Sequence, residues 1–193
     1  MNYTRSLFAA VAAAIAVPAS AQDFTGPRAE VTVGFDELRF NLEDYGETGR
    51  TKRADLAVGI AAGYDAELSP GLIGGVEVGA NFSGADYSFG DATTGGSLHA
   101  RRDLTLAGRL GTKVSNNTLL YGKVGYSNFR VRSEDIAEGV TTSNLKNLDG
   151  VLLGVGAEVA ISPTTYLKSE YRYTNYQDGF VRNDVLTGIG IRF

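Results

Sequence analysis

The sequence predicts an all-β chain, an eight-stranded antiparallel up-and-down transmembrane β-barrel, on three observations. Eight segments alternate apolar and polar or small residues with a period of two, the signature of strands that face two different environments. The connections between them alternate short and long, the plan of turns on one side of a membrane and loops on the other. An export signal precedes the first strand.

That signal is read from Arg5, the apolar and small-residue run from Leu7 to Val17, and Ala19-Ser20-Ala21, an A-x-A cleavage site. The run is too short for a spanning helix, which needs about 20 apolar residues. Cleavage is therefore expected after Ala21 and before Gln22, giving a leader over 1–21 and a barrel domain over 22–193. The leader takes one Arg with it, leaving 17 basic residues against 22 acidic ones and a net charge of −5. A mildly acidic chain is no candidate for nucleic acid. With no cysteine, redox motifs, disulfide frameworks and thiolate metal sites are excluded.

The first strand runs from about Arg28 to Phe40, with Ala29, Val31, Val33 and Phe35 outward, Glu30, Thr32 and Asp36 inward, and a phase slip expected near Glu37. The second sets Leu56, Val58, Ile60, Ala62, Tyr64, Ala66 and Leu68 against Asp55, Gly59, Gly63, Asp65 and Glu67. In the third, Val76, Val78, Ala80 and Phe82 oppose Glu77, Gly79 and Asn81, and in the fourth Leu104, Leu106 and Leu110 oppose Asp103, Thr105 and Arg109. The fifth, Leu119 to Arg132, puts Leu120, Val124 and Tyr126 outward against Tyr121, Lys123 and Ser127, with a phase change expected around Phe129. The sixth places Val151, Leu153 and Val155 outward against Gly154, Gly156 and Glu158; the seventh places Tyr171 and Tyr173 outward against Lys168, Glu170, Arg172 and Thr174. In the eighth, Ile189, Ile191 and Phe193 face lipid while Gly188, Gly190 and Arg192 face the interior. Tight turns are expected at Ser69-Pro70-Gly71, Ser115 to Thr118 and Ser162-Pro163-Thr164. Longer polar loops are expected over Leu42 to Arg53, Gly84 to Ala100 and Ser133 to Leu148, with a shorter one from Gln177 to Arg182.

An eight-stranded barrel has room inside only for side chains, and buried charges persist only when paired. Interior salt bridges are expected from Glu158 with Lys168, each five residues from Pro163, and from Glu30 with Arg192, which closure brings to one rim; Glu170 and Arg172 join the same plug. No catalytic site, cofactor site or metal site is assigned. The single His99 has Ser97 two residues before it, the reverse of the His-x-Ser order of lipid A deacylases, and no acid is placed by sequence to orient the imidazole.

Glu170-Tyr171-Arg172-Tyr173-Thr174, followed by a short loop and Gly-Ile-Gly-Ile-Arg-Phe, resembles the last two strands of the opacity-type outer-membrane porin family. These are small eight-stranded surface antigens of Gram-negative bacteria, similar in architecture to the transmembrane domain of the outer-membrane protein A family. Gly188, Ile191 and Phe193 resemble the sorting signal read by the barrel-assembly machinery, although Leu186 stands where a polar residue is usual. Nothing follows Phe193, so no peptidoglycan-binding domain is expected. The resemblance implies an outer-membrane location and a non-enzymatic, monomeric barrel with envelope-structural and surface-recognition roles. Its implied partners are outer-membrane lipid and lipopolysaccharide, the assembly machinery, and host or surface ligands of the loops. A narrow porin-like channel is the alternative, and a lipid A-modifying enzyme comes third.

Overall fold

A computed structural model describes residues 23–41, 50–84, 86–90, 94–137, 140–177 and 179–193. The leader, its Ala19, Ala21 and Gln22 included, lies outside the described residues. Among the described residues nine strand segments run in chain order: β1 Gly26–Asn41, β2 Arg50–Ser69, β3 Leu72–Ser83, β4 Asp86–Gly90, β5 Thr94–Ser115, β6 Thr118–Ala137, β7 Val140–Ala160, β8 Thr165–Tyr176 and β9 Val181–Arg192. All pair antiparallel, and β3 and β4 both pair with β5 as successive stretches of one stave. The sheet closes through β1 with β9, Arg28 opposite Arg192 and Arg39 opposite Val181, so the eight predicted staves form a complete barrel. The β1–β9 and β3–β5 ladders leave no open edge along the staves they join, which hydrocarbon demands because it offers no partner to a free N–H or C=O; among the described residues β4 pairs on one side only, with β5.

The tight turns sit where turn-forming residues predict them. Gly71 adopts φ +78°, a conformation that a side chain would strain, and its N–H donates to Glu67. Ser162 Oγ accepts from the amides of Thr164 and Thr165 and so fixes the β7–β8 connection.

Apolar residues face outward and are exposed on most staves: Phe35, Ile60, Val76, Leu106, Val124 and Val155 each leave more than half of their surface uncovered. The inner face alternates with them, apart from register shifts at Glu67–Ser69, Ala100–Arg102 and Lys113–Ser115. Two expected phase changes are corrected. Past Glu37 the first strand keeps its register through Asn41, with Leu38 inside, and past Phe129 the fifth keeps alternating, with Phe129 and Val131 inside. The cause is an apolar interior layer of Leu38, Phe129, Val131, Leu148 and Tyr176 toward the end that carries the long connections, which reads as a slip when the interior is assumed polar throughout. A second layer, Phe24, Ile73 and Leu119, closes the end that carries the tight turns.

The long connections are also shorter than expected. Ladder pairing of β6 with β7 continues to Ala137 opposite Val140, through residues assigned to the Ser133 to Leu148 loop, and β4 pairs with β5 inside the Gly84 to Ala100 loop. Beyond the lipid, Ile136, Val140, Thr141 and Thr142 are strand-prone residues, and an existing hairpin extends at no new closure cost.

Candidate functional site: the lumen

The lower half of the lumen holds five carboxylates, Glu30, Asp65, Glu77, Glu158 and Glu170, among six cations, Arg28, Arg109, Lys123, Lys168, Arg172 and Arg192, all buried. Asp65 on β2 is the hub. It accepts Arg28 Nε at 3.0 Å, Arg192 Nη1 at 2.9 Å, and Arg109 through two parallel bonds at 2.8 and 2.6 Å. That fork-to-fork geometry is the strong form of the pair. Glu158 takes the remaining arms of Arg109 and Arg192, the latter at 2.9 Å. Glu77 holds Arg28 at 2.8 Å and Lys123 at 2.7 Å, while Glu170 holds Lys123 at 2.7 Å, Lys168 at 3.2 Å and Arg172. Tyr121 donates to Glu170 at 2.5 Å and Tyr166 to Glu30 at 2.9 Å, and their rings carry Arg109 and Arg192 at 4.9 and 5.3 Å. Bulky groups fit because glycine stands opposite them: a Cβ at Gly190 would run into the Tyr166 ring.

The upper half is acid-rich. Among the described residues Arg182 meets Asp184 at 2.8 Å, Asp36 at 3.2 Å and Asp103 at 3.5 Å. Both Asp36 oxygens lack a hydrogen-bond partner among the described residues. Ser127 donates to Asp103 and shares a 2.9 Å bond with Tyr176.

Glu158 and Lys168 do face each other across β7 and β8, yet they bond elsewhere: Lys168 reaches Glu30, Glu77 and Glu170. Glu30 and Arg192 share a rim, but Arg28 stands opposite Arg192 and takes Glu30 itself at 3.1 Å. Arg28 was missed although it shares the Glu30 face by simple alternation, Arg182 because it was read as the end of the Gln177 to Arg182 loop, and Asp184 because it falls between that loop and the strand read from Leu186. Gly188 and Ile191 lie on β9, and the exposed Phe193 donates its amide to Pro27 at 2.9 Å. The side chains of Ser97 and His99 lie outside the described residues, but the ladder sets Asp86 opposite His99, so an acid does neighbour the histidine in register. Among the described residues no three His, Cys, Asp or Glu are arranged to hold a metal.

The profile described as "Outer membrane protein beta-barrel domain" matches residues 6–193. The 31 kDa outer-membrane immunogenic protein of Brucella melitensis is 31% identical over 127 residues, 61% of this chain and 52% of that one, so the chain spans about half the length of that relative. The 22 kDa outer membrane protein of Rhizobium leguminosarum bv. viciae is 26% identical over 166 residues, 80% of this chain and 73% of that one. Two solved barrels share the fold: Neisserial surface protein A (TM-score 0.58, 15% identity, 88% of this chain and 98% of that one), and Ail, the attachment invasion locus protein of Yersinia pestis (TM-score 0.57, 14% identity, 87% and 99%). With an apolar outside, a charged inside and a match along nearly its whole length, the chain is an outer-membrane protein of a Gram-negative bacterium and belongs to the outer membrane protein beta-barrel domain family.

Proposed function

We propose that this barrel is a non-enzymatic, monomeric envelope protein that seals its own lumen and displays a structured surface for adhesion or recognition. One observation carries the reading: a cross-linked ion network fills the lumen between two apolar layers, leaving its charges nothing to exchange with bulk water. Display is supported by strand length. β5, β6 and β7 have 22, 20 and 21 residues, whereas a crossing needs about 9–11, so paired hairpin stands clear of the bilayer. In planar bilayers the purified protein is expected to show no large, steady open state. Conductance like that of a general porin would reverse the reading.

A narrow cation pathway is the second reading, favoured by the three carboxylates around Arg182, of which Asp36 is ion-paired but accepts no hydrogen bond among the described residues. It predicts small, cation-selective currents that Asp36→Asn reduces.

We also propose that Gly188, Ile191 and Phe193 form the determinant read by the barrel-assembly machinery. Phe193→Glu is expected to leave export intact and to deplete the heat-modifiable, folded form from the outer-membrane fraction. Normal levels of folded Phe193→Glu would reduce Phe193 to an ordinary lipid-facing residue.

A further inference from the structure

The outer wall of β5, β6 and β7 is not uniformly apolar. Moving toward the extracellular end, Val124 and Leu153 give way to Tyr126, whose hydroxyl donates to Asp149, then to Asn128, which donates to the same carboxylate at 2.8 Å. The next row places Arg102 opposite Arg130, on the Leu104 face of β5 and the Tyr126 face of β6. Like charges directly opposite across a ladder repel, and here no carboxylate among the described residues pairs with either one. Asp149 is already engaged by Tyr126 and Asn128. Arg130 Nε donates only to the neutral amide oxygen of Asn147 at 2.9 Å, and Arg102 Nε is buried without a partner.

Below this pair, on the same strands, a groove of about 780 Å³ opens where outward glycines leave the wall unfilled. Gly108 lies opposite Val124 and Gly122 opposite Leu110, with Leu153 and Tyr171 flanking. A Cβ at Gly108 would meet nothing within 4 Å, so packing within the barrel does not require glycine there. Gly108 lies six residues from Arg102, about 20 Å of strand. At the usual barrel tilt of about 40° that is roughly 15 Å of depth, one hydrocarbon leaflet.

We propose that β5–β7 form a site for one phosphorylated outer-leaflet lipid of the lipopolysaccharide kind, its headgroup phosphate bridging Arg102 and Arg130 and the end of one acyl chain reaching the Gly108–Gly122 groove. Among the described residues neither of the two facing guanidiniums meets a carboxylate, and the glycine groove lies at the depth that the end of an acyl chain hung from them would reach. A phosphate supplies the missing counter-charge, and its acyl chain supplies the missing wall.

The test is binding of fluorescent, bisphosphorylated lipid A to the full folded barrel in neutral detergent, with dephosphorylated lipid A and inorganic pyrophosphate as further arms. Each arginine near a headgroup surface contributes enough that Arg102→Ala with Arg130→Ala should weaken lipid A binding about thirtyfold. Dephosphorylated lipid A should bind the native barrel about as weakly as lipid A binds that double variant. Gly108→Leu with Gly122→Leu should weaken lipid A binding at least about fivefold while leaving the unfolding midpoint unchanged. Unchanged affinity in the arginine variant overturns the headgroup site, and unchanged affinity in the glycine variant overturns the acyl groove. Displacement of lipid A by pyrophosphate at equal concentration would make this a site for free anions and overturn the lipid assignment.

Discussion

Asp65→Ala should destabilise the folded barrel by about 3–5 kcal/mol, the cost of leaving buried charges without their partner. The residue accepts hydrogen bonds from Arg28, Arg109 and Arg192, each contributed by a different strand, and its own exposure is zero. Arg109 and Arg192 retain Glu158, and Arg28 retains Glu30 and Glu77, so the network would be weakened rather than dissolved. Adding Arg109→Met should recover part of the loss, because it removes one of the guanidiniums left in excess. Reversible urea unfolding in phospholipid vesicles measures both variants. A loss below about 1 kcal/mol for Asp65→Ala would mean that water, not the carboxylate, satisfies those arginines.

Val58→Arg and Val155→Arg should each cost about 2–4 kcal/mol in the same assay if their positions lie near the bilayer midplane. Val58 stands between Val33 and Phe82 across its two ladders, and Val155 between Gly122 and Tyr171, so each arginine would face lipid amid apolar neighbours. Val58→Leu should be close to neutral, since lipid accepts either side chain. In a water-soluble barrel of the same fold, the arginine variants would be as harmless as the leucine one.

The faces were legible in the sequence because a strand writes its two environments into alternate residues: Leu56 to Leu68 against Asp55 to Glu67 needs no knowledge of neighbouring strands. Pairings fixed by a tight turn were legible as well, as with Glu158 opposite Lys168. Ion partners were not. Contacts across a lumen depend on how far the strands are sheared around the barrel, which brings Glu158 to Arg109 and Lys168 to Glu30 from strands distant in sequence. The apolar layer around Phe129 was misread for a related reason, since a hydrophobic side chain inside a membrane barrel looks locally like a strand turned over. The outward arginines were hidden by their place at the edge of the lipid belt, where alternation stops distinguishing lipid from water.

The claim on which the rest depends is that the apolar face meets lipid and the charged face is sealed inside. The chain has no cysteine, so single cysteines can carry a spin label at outward Ile60, Leu106 and Leu153 and at the exposed periplasmic turn residue Asn116. Collision rates with oxygen, which concentrates in hydrocarbon, and with a nickel chelate, which stays in water, then report each surface in a folded, vesicle-embedded barrel. Oxygen should dominate at 60, 106 and 153 and the nickel chelate at 116. Nickel collisions at the three strand positions equal to those at 116 would show a wet outer wall and contradict the account.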